Sequence, residues 1–213
     1  MNQICHKLHL LFSEHSQFAF PFDANSIPRN GIYVLFEKGE FAHETDRIVR
    51  VGTHTGNNRL PSRLEEHYIK ENKDRSIFRK NIGRAILNKD QDAFLAQWEI
   101  DLTTSNARQK YAGTFDQRKL QETEKRVTEY IQQNFCFVAF RVDDKPQRLY
   151  WESKIISTVS QCSECRSSRN WLGLHSTKEK IRERGLWLVN KLDKQPLSES
   201  DYEILKTAVL STA

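Results

Sequence analysis

Tyr33, Arg50, Arg63, His67 and Glu152 are the side chains of this sequence whose types suit hydrolysis of a phosphodiester with a single metal ion. Arg63 and His67 stand four apart, so one turn of helix would put both on one stripe. A phenol titrates near about 10 and is a weak base at neutral pH unless cations stabilise its phenolate. Arg50 and Arg63 are suited to that task, and His67 to accepting or relaying the proton. Glu152 lies in a run where Leu149, Ile155, Ile156 and Val159 recur at helical spacing, which predicts a lone carboxylate within an apolar helix face. Unpaired there, it would cost several kcal/mol or stay protonated, so a cation should compensate it. Two cations qualify: Mg²⁺ (or Mn²⁺) held by one carboxylate, waters and substrate phosphate oxygens, or an arginine in a buried ion pair.

The same residues have plainer readings. Tyr33 shares strand parity with Gly31 and Leu35 and suits a core position, just as Arg50 shares parity with Ile48 and Gly52. Leu60, Leu64 and Tyr68 recur every four residues and are expected to face the core. Arg59, Arg63 and His67 form a stripe one residue earlier, which reads either as a solvated basic face or as a phosphate clamp assisted by the free N–H groups of the first helical turn.

The elements that must position these residues are legible in outline. Ile32 to Phe36 and Arg47 to Val51 read as an antiparallel strand pair, followed by a polar turn and a helix from about Arg59, with Asn58 as N-cap and Pro61 in the first turn. Helices are predicted over residues 4–18, 77–87, 119–132, 148–160 and 200–210, the last with a Ser198/Asp201 capping box; a short helix capped by Ser176 should run to about Arg184. Residues 94–102 read as a short strand, and Phe135 to Val142, apolar on both faces, as a central one. The fold class expected is α/β in the α+β sense: a small, mainly antiparallel sheet flanked by helices.

With 213 residues, 38% hydrophobic and 29% charged, the chain suits one globular domain with a real core. No apolar run reaches the roughly 18 residues of a membrane span, and the short patch around Leu8 to Phe12 predicts an amphipathic first helix rather than a leader. A cytoplasmic protein with Cys5, Cys136, Cys162 and Cys165 reduced is the expectation. The formal charge of +5 is compatible with a polyanionic partner, and positive charge concentrates at residues 75–84 and 166–169.

Taken together, Gly31-Ile32-Tyr33, Arg50-Val51-Gly52, Arg63-x-x-x-His67 and Glu152 resemble the GIY-YIG nuclease family. The first motif is intact; the second keeps its glycine but has arginine where the name-giving tyrosine stands. The resemblance implies metal-dependent cleavage of DNA by attack of water on phosphorus. By it, Tyr33 is the base or positions the water, Arg63 clamps the phosphate, Glu152 binds Mg²⁺ (or Mn²⁺), and Asn170 matches the family's late asparagine. It covers about residues 30–173, with a helical insertion at about 71–133 that exceeds the minimal domain. Residues 1–29 then form an N-terminal helix and loop, and residues 174–213 helices packed on the same domain. A restriction or phage-defence nuclease, a structure-specific repair nuclease and a non-catalytic DNA-binding protein that retains the fold all remain open. Cys162-x-x-Cys165 is an incomplete zinc signal, with His175 the nearest further ligand and a complete site only if Cys5 or Cys136 folds in. His43 and His54 read as surface histidines, His54 close enough to the second motif to border the site.

Overall fold

Alternation along one strand divides the molecule into two cores. In β2 (Gly31–Ala42), Ile32, Val34 and Phe36 point to one side and Tyr33 and Leu35 to the other, all sealed from solvent. A strand buried on both faces needs helices on both. The computed structural model, which describes residues 2–211, supplies them. α1 (Asn2–Ser13), α7 (Lys145–Ser160) and α9 (Glu199–Leu210) cover the face of Ile32. α2 (Leu60–Tyr68), α3 (Ile77–Lys89) and α6 (Gln117–Asn134) cover the face of Tyr33. The fold is α+β.

The sheet is antiparallel throughout, in the order β1 (Phe18–Ala19), β4 (Phe135–Arg141), β2, β3 (Thr45–Thr53). The interior place of β4 explains its unbroken apolar sequence. β3 lies at the edge, and the segment after α8 (Glu179–Arg184) covers it: Trp187 N–H donates to Val49 O at 2.8 Å, and the Arg47 and Arg50 guanidiniums donate to the carbonyls of Gly185 and Trp187. That segment occupies the middle of the edge.

Several local expectations give way to tertiary context. The first helix ends at Ser13 rather than at 18, because Phe18 and Ala19 pair with Phe137 and Cys136. Residues 94–102 form no strand; Leu95–Trp98 is a helical turn (α4) whose Trp98 donates through Nε1 to Lys80 O and lies against Gly83, where a Cβ would fall 2.2 Å from the ring. A short apolar run does not distinguish the two structures. A further short helix, α5 (Ser105–Lys110), precedes α6. Asn58 caps nothing: it has a φ of +56° and clasps Asn30, while the helix starts one residue later with no side-chain cap. Ser176 accepts from Lys178 N–H in the turn before α8 rather than capping it. The Ser198/Asp201 capping box forms on α9.

Candidate active site

α2 carries Arg63 and His67, and its placement follows from Leu60, Leu64 and Tyr68, all fully buried against the sheet. Its first turn is not an open anion cradle. Leu60 N–H donates to Arg29 O, Pro61 has no N–H, and Arg63 N–H closes onto Arg59 O, so little of the expected N-terminal donor set is free. The far end is held by Arg79, which donates to His67 O at 3.1 Å while paired with buried Glu124.

His67 and Tyr33 meet beneath the surface. Tyr33 Oη lies 2.8 Å from His67 Nε2, and His67 Nδ1 lies 2.7 Å from Ser76 Oγ, the N-cap of α3. Burial, then the positive charges of Arg63, Arg50 and Arg79, hold the imidazole well below its ordinary value of 6.5, so it is neutral at pH 7. Tyr33 and His67 have no exposed surface.

Gly52 makes room for this pair. It is the cross-strand partner of Tyr33, and a Cβ there would fall 2.3 Å from the phenolic oxygen. The glycine of the second motif is therefore a steric condition for the tyrosine of the first. Gly31 answers a different contact, since its Cβ would meet the backbone oxygen of Phe140 at 2.0 Å.

One residue along β3 from Gly52 and one turn along α2 from His67, a cleft of about 350 Å³ opens, lined by Thr53, His54, Arg59, Arg63, Glu66 and Arg75 among others. Arg63 donates to Glu66 Oε2 at 2.9 Å and to Arg75 O at 2.8 Å, which fixes its guanidinium while leaving part of it in solvent. Arg59 is far more exposed and only 3.7 Å from Glu66 at its nearest. Contrary to the surface reading, His54 is buried; its Nε2 accepts from Gly31 N–H at 3.3 Å, and burial with Arg148 nearby lowers its pKa to about 4.

The remaining expected residues lie apart from the cleft lining. Arg50 is buried on the Tyr33 face, 5.2 Å above the Phe78 ring, with its Nε unpaired. Glu152 projects from α7 and pairs with Lys191 Nζ, its side chain 14% exposed. Leu149, taken for the inner face, is exposed, and Trp151 packs inward instead. Asn170 is exposed in a turn. Sequence reasoning passed over Glu66, although Arg63 to Glu66 is an i,i+3 pair, and over Ser76, although a serine just before the helix predicted from residue 77 is an N-cap signal; Lys191 carried no local signal.

A family model for the GIY-YIG domain matches residues 3–213. The chain belongs to the GIY-YIG family. The match extends over the first helix and the C-terminal helices, beyond the stretch that the motifs alone suggested. No curated protein and no solved structure matches the chain. Membership of this nuclease superfamily gives the Tyr33–His67 pair and the adjoining basic cleft their context. For Mg²⁺, the donor chemistry does not close on the cleft: Glu152 is a hard carboxylate of the kind that ion takes, but Lys191 already compensates its charge and it lies outside the cleft lining.

Proposed function

We propose that the protein is a metal-dependent DNA endonuclease, and the observation that carries this reading is the Tyr33–His67 hydrogen bond beside an arginine-lined cleft. Arg63, already oriented by Glu66 and the Arg75 carbonyl, binds the scissile phosphate. Tyr33 passes its phenolic proton to neutral His67 Nε2 and takes one from the attacking water, whose oxygen bonds to phosphorus as the leaving oxygen departs with the electron pair of the broken P–O bond. Mg²⁺ (or Mn²⁺) would supply charge stabilisation on the phosphate oxygens, and Glu152 would hold it only once Lys191 has left its carboxylate. Arg50, unable to reach the cleft surface from its buried place, adds positive field near His67 and anchors the segment at Trp187.

Because Tyr33 and His67 are sealed, DNA must open the seam between β3 and α2 for the phenol to reach water at the phosphate. That burial, with Lys191 on Glu152, also favours a second reading: a DNA-binding protein that keeps the fold without cleavage. Incubation of purified protein with plasmid and Mg²⁺, with EDTA as control, separates them. Nicking or linearisation that EDTA abolishes and Glu152→Gln loses, while DNA affinity persists, supports the nuclease. Binding without cleavage under Mg²⁺ or Mn²⁺ supports the alternative. The restriction or phage-defence role belongs to the same proposal and is tested by sequencing the ends produced.

A further inference from the structure

Three segments remote in sequence bring thiols and an imidazole to one point on the opposite face of the sheet. Cys5 comes from α1, His43 from the turn between β2 and β3, and Cys162 and Cys165 from the loop after α7. Cys5 Sγ is 3.3 Å from Cys165 Sγ, and His43 Nε2 is 3.3 Å from Cys165 Sγ and 3.4 Å from Cys162 Sγ. All four cysteines of the chain are free thiols. We infer that Cys5, His43, Cys162 and Cys165 form a structural zinc site of the three-thiolate, one-imidazole type.

The geometry suits that ion. Zinc–sulfur bonds of about 2.3 Å and zinc–nitrogen bonds of about 2.0 Å make a tetrahedron with edges of about 3.5 to 3.8 Å, a few tenths of an ångström longer than these separations. Small side-chain movements would open the cluster to the ion. Cys162 and Cys165 have the two-residue spacing common in structural zinc sites. His43 is not the surface histidine its loop context predicts. Its side chain is 1% exposed, and its Nδ1 faces Glu164 Oε2 at 3.3 Å, so a carboxylate orients the ring and turns Nε2 toward the sulfurs. To reach there, His43 and Glu44 take φ values of +52° and +63°, positions at which a two-residue hairpin turn normally has Asn and Gly. Access is available, since a surface depression is lined by Cys162 and Cys165.

The ligand atoms of Cys5, His9, His43 and Cys165 lie within 4.8 Å of one another and Cys162 joins them at His43, but both nitrogens of His9 are committed. Nε2 accepts from Ile48 N–H at 3.2 Å, which leaves Nδ1–H to donate to Cys5 O at 2.9 Å. Ligation through Nε2 would leave the buried N–H of Ile48 without its acceptor. The expected partner His175 is elsewhere, its carbonyl bonded to Asn88. The site would staple α1, the hairpin turn and the loop leading to Trp171, independently of the cleft chemistry on the other face.

The test is metal analysis of the full chain purified without chelator. One zinc per chain is expected, with Cys5, Cys162 and Cys165 protected from alkylation until a chelator is added. Cobalt(II) replacing zinc should give tetrahedral d–d bands and a thiolate-to-cobalt charge-transfer band that falls by roughly a third in Cys162→Ala and persists in His9→Asn. Wild-type protein that binds neither zinc nor cobalt, or that carries a Cys5–Cys165 disulfide instead, would overturn the inference. A cobalt spectrum indifferent to Cys162→Ala but lost in His9→Asn would overturn the donor set.

Discussion

Arg63 and Arg59 lie on one stripe of α2, yet only Arg63 is fixed, by an acid and a carbonyl at once. A guanidinium held in place loses little entropy when it meets phosphate, so Arg63→Ala should lower the single-turnover cleavage rate at saturating DNA by more than Arg59→Ala does, by a factor on the order of 10 or greater. Equal losses would describe a diffuse basic face. His54 makes a pH prediction. Its folded pKa of about 4 lies below the ordinary 6.5, so the folded state binds fewer protons than the unfolded chain between those values. The stability it contributes is therefore present above about pH 6.5 and lost as pH falls toward 4. The positive groups that disfavour its charging are Arg148 and Arg59. The urea midpoint should fall between about pH 7 and pH 5, and His54→Gln should flatten that fall; an unchanged slope would show that His54 is not held neutral.

The strand pair β2–β3 was readable from its β-rich runs, and the alternation of Tyr33 with Ile32 and Val34 from strand periodicity. What the sequence did not disclose is that Gly52 is emptied of a side chain for the sake of the Tyr33 ring, a cross-strand contact with no local signature. The two motif glycines should therefore fail differently. Gly31→Ala drives a Cβ into a backbone carbonyl and should destabilise the sheet. Gly52→Ala instead meets the end of a side chain, so it should leave a folded protein with a displaced phenol and cleavage reduced about as far as in Tyr33→Phe. Melting temperature and single-turnover rate measured on both variants check this, and similar melting losses in the two would contradict it. α4 was misread because a short apolar run is ambiguous until α3 is there to receive Trp98. His43 was misread because burial in a hairpin turn depends on segments more than a hundred residues away.

At the scale of the whole molecule, the sheet separates two chemistries. The face toward α2 and α3 buries Tyr33 and His67 beside the arginine cleft, and the face toward α1 and α7 gathers the thiols. No helix among the described residues is long and apolar enough to cross a membrane. Arg63 and His67 were legible as one helical stripe, and Tyr33 joined them only through the motif resemblance, since the packing of α2 on β2 is what brings the phenol to the imidazole. Glu152 and Asn170 were legible only by type, since the path of the chain after β4 decides what they face, and Lys191 reaches Glu152 from a segment with no periodic signal. The central claim is that the Tyr33–His67 pair takes part in cleavage rather than only in packing. Tyr33→Phe removes one oxygen and leaves His67 Nε2 without its partner, so it should cost about 1–3 kcal/mol of stability under either view. Turnover distinguishes them. In single-turnover cleavage of plasmid under Mg²⁺, at a temperature where both proteins are folded, Tyr33→Phe should be slower than wild type by a factor on the order of 10² or more; undiminished cleavage by the folded variant would contradict the account.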